Sequence, residues 1–304
     1  MSVAPATWDQ LGAALSGGAL AADFARAFDN GAAFLRSRDG LRGRRPLTVE
    51  WKGSHKAPGD EVAPIDLRVD HVYLVSCKYL SKITINASPA NLIDRLLQGG
   101  HGARSGDWFE KVAPKELQAL YEAATAGIGP GGFPERVDEL RQADRQRLRK
   151  ALESGWPGDA QDAYVQLLEA VAVRTAERWQ SRLDTLAEAE RILWRMLRIG
   201  SAPYFMLGAA PSGPLRLRIA TPWDWRTHYR LLGLTCSPQE GGQPRIGWSA
   251  RVEDRLSGEH VAVEGHVEVR WSHGRFGGQP EAKVYLDTSH EEVPGYFPLD
   301  PVRS

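Results

Sequence analysis

The chain has 304 residues, of which 38 are basic and 38 acidic, and only two are cysteines. This zero net charge excludes a protein that coats nucleic acid through bulk charge, so any such site must be a local patch. Two cysteines are too few for a disulfide framework or a thiolate zinc site, and they agree with a reducing cytoplasm. No apolar run reaches about 18 residues and no signal peptide is recognisable, so we predict a cytoplasmic protein without a membrane segment.

The first hundred residues are predicted to form a helix, three strands and a helix. Apolar residues recur at helical spacing over residues 9–37, with an interruption at Gly17-Gly18 that separates two helices. Leu47–Trp51 is predicted as a strand, and residues 64–82 as a pair of strands. Ser88 is a good N-cap with a proline after it, so a short helix is predicted over Ala90–Leu97.

The strand pair is predicted to turn at Asp70-His71, after a first strand that alternates apolar and polar residues. Val72–Val75 is a near-continuous apolar run, which is typical of a strand buried on both faces. Folding at this turn brings Asp66 beside the segment Ser76-Cys77-Lys78. Side chains two apart on a strand share a face, so Ser76 and Lys78 lie together and Asp66 joins them if the register is right.

An acid beside a lysine at the end of a buried strand admits two interpretations. A buried lysine is costly unless it is paired, so Asp66 and Lys78 are candidates for a functional site. In the alternative, Lys78 extends to solvent and Asp66 caps a turn.

The middle of the chain is predicted to be helical and the last third to be rich in strands. Residues 107–126, Pro134–Leu152 and Asp159–Ile199 have helical periodicity, and the last helix is long enough that a break is expected. The predicted strands are Leu215–Ala220, Tyr229–Thr235, Arg245–Val252, His260–Trp271 and Glu281–Leu286. This divides the α+β chain into residues 1–104, 105–203 and 204–304, where the last strands either complete the first sheet or form a second domain.

The order helix-strand-strand-strand-helix, with Asp66 opening the middle strand and Lys78 closing the third, resembles the core of the PD-(D/E)xK nucleases. These proteins have the restriction-endonuclease-like fold. The segments that carry the resemblance are Pro64-Ile65-Asp66 and Val75-Ser76-Cys77-Lys78-Tyr79, and the Cys-Lys-aromatic ending is similar to the Mrr-type restriction enzymes. The resemblance covers about residues 20–97 and implies metal-dependent hydrolysis of DNA, in a setting of defence against foreign DNA.

The chain departs from the family at Ser76, where the family usually has an acid or a glutamine. Magnesium and manganese ions prefer oxygen ligands, commonly one or two carboxylates with waters and phosphate. The resemblance implies that Asp66 supplies one carboxylate, and Glu50 on the preceding strand is the candidate for the second. Asp70 and Asp29 are weaker candidates. Either Glu50 compensates for the missing acid, or the site is degenerate and binds its ligand without catalysing hydrolysis.

Basic residues near these strands are candidates for contacts with DNA phosphates. The segment Arg36–Arg45 contains five arginines and two glycines and is predicted as a loop, which either binds phosphate or is simply solvated. The candidate nucleic-acid-binding residues are Arg42, Arg44, Arg45, Lys52, Lys82 and Arg275.

A second constellation competes with the first near the C-terminus. Glu264, His266 and Glu268 share one face of a predicted strand. The following hairpin ends in Glu281-Ala-Lys283, so Glu268, Glu281 and Lys283 form an alternative acid-and-lysine site. The other interpretation is an antiparallel sheet with charges on its solvent face. The glycine-rich loop between these strands could instead contact nucleic acid, and Trp223 and Trp225 form either a base platform or a core corner.

The sequence thus predicts a nuclease as the first function. No phosphate-binding glycine loop, serine-hydrolase elbow or zinc-protease motif is present, so these classes lack support. The alternatives are a non-catalytic subunit that binds nucleic acid or other protein subunits, and a scaffold without a nucleic-acid role. A homodimer is compatible with all three.

Overall fold

The computed structural model describes residues 5–51, 65–80, 82–95, 107–129 and 132–300. Within these ranges the protein has eight α-helices and eleven strands in two sheets, which confirms the α+β class. The helices are α1 (Pro5–Ser16), α2 (Ala21–Arg36), α3 (Trp108–Val112), α4 (Pro114–Ile128), α5 (Gln142–Ala151), α6 (Ala160–Gln180), α7 (Leu186–Met196) and α8 (Pro222–His228). The strands are β1 (Val49–Trp51), β2 (Leu67–Val69), β3 (Tyr73–Tyr79), β4 (Ile83–Ala87), β5 (Tyr204–Ala210), β6 (Gly213–Ile219), β7 (Tyr229–Gln239), β8 (Arg245–Asp254), β9 (His260–Arg270), β10 (Glu281–Leu286) and β11 (Tyr296–Pro298). None of the described helices is both long and apolar enough to cross a bilayer.

The first sheet has six strands in the order β1-β2-β3-β5-β6-β11. The strands β1, β2 and β3 form an antiparallel meander, and β5 joins β3 in parallel. The predicted turn at Asp70-His71 is present, and both residues have positive φ, at 51° and 59°. Such conformations suit tight hairpin turns, in which Asp is among the residues that tolerate them.

The two faces of this sheet differ in what covers them. Val69, Val75, Phe205 and Leu207 pack under α2 and form a small core with Phe34 of that helix. On the opposite face, Tyr204, Met206 and Leu217 belong to the large core beneath the middle helices. Because neighbouring side chains on a strand alternate between faces, Ser76 and Lys78 point away from α2.

The second sheet is antiparallel, in the order β4-β10-β9-β8-β7. Alternate residues of its strands are buried against the middle helices, including Ile246, Val267 and Val284. The residues between them carry the polar side chains of the other face. This is the pattern expected for a sheet with one face solvated.

The C-terminal strands are divided between the two sheets. Strands β5, β6 and β11 complete the first sheet, while β7 to β10 form the second sheet together with the earlier β4. Part of residues 204–304 thus extends the first sheet, and the rest lies in the second sheet.

Several predicted elements need correction. Val72 is 72% exposed and precedes β3, so the strand is not buried on both faces from Val72 onward. The helix predicted over Ala90–Leu97 is a short π-helix, Ala90–Arg95, in its described part. The single helix predicted over Pro134–Leu152 is instead a 3₁₀ turn, Val137–Glu139, and the separate helix α5.

The expected break in Asp159–Ile199 is confirmed, because α6 ends at Gln180 and α7 begins at Leu186. The Thr185 hydroxyl caps α7 by accepting a hydrogen bond from the Glu188 N–H at 3.2 Å. Strands β4, β5 and β11 and helix α8 were not predicted.

Asp107 is the buried N-cap of α3, and it makes stability depend on pH. Its carboxylate accepts the Phe109 N–H at 2.9 Å, but burial raises its pKa from 3.8 to about 6. The folded state therefore holds this proton more tightly than the unfolded chain does. This contribution to stability is present below about pH 4 and is lost as the pH rises from about 4 to about 6.

We expect Asp107→Asn to be more stable than the wild type by about 2–3 kcal/mol at pH 7.5 and by little at pH 4. Asparagine is as good an N-cap as aspartate and carries no charge to desolvate. Urea unfolding at the two pH values measures the difference, with the exposed Asp138→Asn as control. An Asp107→Asn variant that is less stable than the wild type at pH 7.5 would contradict this account.

Candidate functional site

Asp66 lies where the sequence analysis predicted it, beside the end of β3. Asp66 immediately precedes Leu67, the first residue of β2, which pairs with Val75, and the Asp66 N–H also donates to the Val75 carbonyl at 2.9 Å. The Asp66 Oδ2 accepts the Cys77 N–H at 2.6 Å and lies 3.4 Å from the Ser76 Oγ. No described residue donates a hydrogen bond to the other oxygen, Oδ1. One oxygen of the carboxylate is thus fixed on β3.

Lys78 shares the sheet face of Asp66 and Ser76. It comes two residues after Ser76 on β3, so the two side chains point to the same face. Its Nζ donates to the Ile83 carbonyl at 3.4 Å. Its charge, after the larger effect of burial, helps to lower the pKa of His290. The ammonium is therefore at the end of β3 where the chain turns toward β4.

Glu50 is on the same face but is already paired. It lies opposite Arg68 in the β1–β2 register and forms an ion pair with that guanidinium. The His71 Nδ1 is a further 3.6 Å from the Glu50 Oε2. Asp66 comes two residues before Arg68, just ahead of β2.

The structure does not bring the two weaker acidic candidates to this face. Asp70 accepts the N–H groups of Leu47 and Thr48 at 2.7 and 2.9 Å and pairs with Arg44 at 2.6 Å. The Thr48 N–H is the largest of the causes that lower its pKa. Asp29 is exposed on α2, which covers the opposite face of the sheet. Asp70 therefore anchors the segment before β1, and Asp29 is remote from Asp66.

The predicted phosphate contacts are dispersed. Arg42 and Arg45 are exposed, but Arg42 Nε donates to the Arg38 carbonyl at 2.7 Å. Arg44 is held by Asp70, and Lys82 is exposed just before β4. Lys52 lies outside the described residues. Arg275 is in a different part of the molecule, against Trp156.

The second constellation forms a network on the polar face of the second sheet, centred on a buried histidine. His266 Nδ1 is 2.7 Å from the Asp287 carboxylate, and its Nε2 is 2.9 Å from the Arg245 guanidinium. Because arginine can only donate, Nε2 accepts and the ring proton lies on Nδ1, toward Asp287. The Tyr285 ring stacks on His266 with centroids 4.7 Å apart.

The acids and the lysine of this constellation are divided among separate partners. Glu268 lies opposite Lys283 in the β9–β10 register and within 3.5 Å of Arg245. Glu281 is instead 3.5 Å from His273. The pattern agrees with the interpretation of a charged, self-paired sheet face. The sequence analysis did not identify Asp287 or Arg245, because contacts between neighbouring strands depend on registers that the sequence does not show.

The tryptophan pair Trp223 and Trp225 divides between the surface and the core. Trp225 is fully buried and its Nε1 donates to the Pro294 carbonyl at 3.1 Å, whereas Trp223 is 76% exposed. The structure therefore favours the core corner over a base platform.

The donors around Asp66 fit a magnesium-type ion that keeps most of its waters. Within the described ranges, no group of three or more His, Cys, Asp or Glu side chains converges on one point. Protein ligands for such an ion would be Asp66 and, after exchange of Arg68, Glu50. One or two carboxylates with waters and a substrate phosphate are the usual shell of Mg²⁺.

Comparison of the chain with protein-family models, with curated proteins and with solved structures gives no match.

Proposed function

We propose that the chain is a metal-dependent nuclease that hydrolyses DNA phosphodiester bonds, with its site on the sheet face that carries Glu50, Asp66 and Lys78. The observation that supports the proposal most is the hydrogen bonding of Asp66. Its Oδ2 is fixed by the Cys77 N–H at 2.6 Å, while its Oδ1 accepts nothing from the described residues. The described residues therefore leave one carboxylate oxygen of Asp66 available to an ion.

Each residue of the site has a role that follows from its position. Asp66 would hold the ion, and Ser76 helps to fix the orientation of that carboxylate from the neighbouring strand. When bound, the ion lowers the pKa of a coordinated water and offsets the charge that develops on the phosphate. Lys78 offers an ammonium on the same face.

Glu50 can act as the second carboxylate only if it leaves its ion pair with Arg68. An approaching phosphate offers Arg68 an alternative anionic partner, because a guanidinium binds phosphate as readily as carboxylate. Substrate binding and release of Glu50 would then be coupled. This exchange would compensate for the serine at position 76.

The second candidate is a non-catalytic subunit that binds nucleic acid or another protein. Two observations favour it: the neutral Ser76 in place of an acid, and the ion pair that occupies Glu50. In this case Asp66 and Lys78 would contribute to binding without cleavage.

Incubation with supercoiled plasmid tests the first candidate against the second. We expect relaxation and linearisation of the plasmid in Mg²⁺ or Mn²⁺, and none in EDTA. Salt-sensitive DNA binding without any cleavage in either metal would instead support the non-catalytic subunit.

A further inference from the structure

An open groove of about 810 Å³ lies between α5, the start of α6 and two loops of the second sheet. This volume is within the range of about 300–1,000 Å³ that ligand sites occupy. The groove is separate from the face of Asp66 and combines aromatic with basic side chains. These are Trp156, Tyr164, Trp271, Arg149, Lys150 and Arg275.

The aromatic side of the groove, here called the platform, is formed by Trp156 and Tyr164. The rings of Trp156 and Tyr164 lie 4.8 Å apart between centroids and are tilted by 32°. The Tyr164 hydroxyl donates to Gln243 at 3.3 Å, and the Arg275 guanidinium covers the Trp156 ring at 4.9 Å. Arg275 is itself held by the Leu152 carbonyl. Both platform rings are only half-buried, so part of each faces the groove.

The basic side of the groove gives it a positive charge that the chain as a whole lacks. Helix α5 has four basic residues and one acidic residue, a net charge of +3, whereas the chain has a net charge of zero. Arg149 and Lys150 are exposed at the groove. Glu153 is the one acid among the described lining residues. The lining therefore suits an anion that also presents a flat ring.

Two glycines lie against the Arg149 side chain. A Cβ on Gly274 would come within 2.9 Å of the Arg149 Cγ, and one on Gly277 within 3.0 Å of its Cδ. Gly274 also has a φ of +89°, which favours glycine. The loop after β9 therefore leaves room for Arg149 to lie along its backbone. This explains the glycines of a segment that the sequence analysis associated with nucleic acid through Arg275.

We propose that this groove binds single-stranded nucleic acid, with an unstacked base on the Trp156–Tyr164 platform and flanking phosphates at Arg149 and Lys150. Stacking on aromatic rings beside a basic track is the usual means of binding a single strand without regard to sequence. The choice of nucleic acid as the ligand rests on the proposed function, but the groove contains none of the residues of the proposed nuclease site. A free nucleotide has the same base and phosphate chemistry, and the test distinguishes it from a strand.

The test is fluorescence anisotropy of a short labelled oligothymidylate, measured in EDTA so that cleavage does not intervene. We expect Arg149→Ala/Lys150→Ala to bind about ten- to a hundredfold more weakly and to lower the slope of log affinity against log salt by about 1.4. Arg141→Ala/Arg147→Ala removes two charges from the same region outside the groove lining, and it should change affinity less than about twofold. We expect Tyr164→Ala to lose roughly five- to a hundredfold, and Tyr164→Phe to bind as the wild type does.

Three outcomes would overturn the groove proposal: no binding by the wild type at low salt, equal losses in the two double variants, or equally tight binding of a thymidine mononucleotide. Because binding is measured in EDTA and plasmid cleavage in Mg²⁺, the two proposals fail separately. Oligonucleotide binding without plasmid cleavage would support the groove proposal and contradict the nuclease proposal. Plasmid cleavage without oligonucleotide binding would support the nuclease proposal and contradict the groove proposal.

Discussion

Replacing Asp66 with asparagine, or Lys78 with methionine, is expected to slow plasmid cleavage by at least about a hundredfold without unfolding the protein. Asparagine retains an oxygen that can accept the Cys77 N–H but lacks the charge that an ion needs. Methionine retains most of the apolar stem of lysine and lacks the ammonium. Loss of one fixed electrostatic group from an active site typically costs about 10²–10³ in rate.

Single-turnover cleavage in Mg²⁺ measures these losses, with the urea unfolding midpoint as the check on folding. Asp29→Asn is the matched control, because it removes an exposed acid from α2 on the opposite face of the sheet. Glu50→Gln should have a smaller effect than Asp66→Asn, because Glu50 must first leave Arg68. Cleavage at the wild-type rate in Asp66→Asn would remove this site from the mechanism.

Replacing Gly208 with alanine is expected to destabilise the fold by about 3 kcal/mol or more. Gly208 of β5 pairs with Lys78 of β3, and an added Cβ would lie 1.4 Å from the Lys78 carbonyl oxygen. That oxygen belongs to the backbone, so no side-chain rotation relieves the clash. The Gly208 carbonyl also accepts the Asn30 Nδ2–H at 2.8 Å, which ties the same point to α2.

Urea unfolding measures this loss against Gly233→Ala as the control. Gly233 is also in a strand, but an added Cβ there would meet nothing within 4 Å. We expect the control to stay within about 0.5–1 kcal/mol of the wild type, since alanine also restricts the unfolded chain. If Gly208→Ala and Gly233→Ala have equal stabilities, β3 and β5 do not approach as closely as described.

The sequence was sufficient to predict elements whose pattern is local. The turn at Asp70-His71 and the alternation of β10 follow from neighbouring residues, and both were predicted at the correct positions. The position of the Asp66 carboxylate beside Ser76 and Cys77 followed from the same turn, because a hairpin brings its two arms together. The prediction of this hairpin agrees with the structure because it depends only on residues that are close in the sequence.

The missed strand β5 shows what the sequence could not predict. Tyr204–Ala210 is apolar almost throughout, because β5 lies between β3 and β6 with both faces covered. Such a run has no period that identifies a strand. Its partner, β3, precedes it by the whole helical middle of the chain. The close approach of Gly208 to the Lys78 backbone is visible only once β3 and β5 are paired in the structure.

The partner of Glu50 was missed for a related reason. Glu50 was assigned to a metal on the basis of its charge and its strand alone, while the β1–β2 register sets it opposite Arg68. A same-face pair of opposite charges stabilises an antiparallel sheet, so the pairing has a structural reason of its own. The Glu50–Arg68 ion pair could have been predicted only if the β1–β2 register had been known.

The central claim is that Asp66 anchors a divalent ion on this face of the sheet, and iron-mediated backbone cleavage tests it most directly. With Fe²⁺, hydrogen peroxide and ascorbate, a bound iron ion reduces peroxide to hydroxyl radical, which cuts the nearest peptide bonds, and ascorbate returns the iron to Fe²⁺. We predict cuts next to Asp66 and along residues 76–78 that excess Mg²⁺ suppresses and that Asp66→Asn abolishes. Cuts confined to other parts of the chain, or cuts next to position 66 that persist in Asp66→Asn, would contradict the claim.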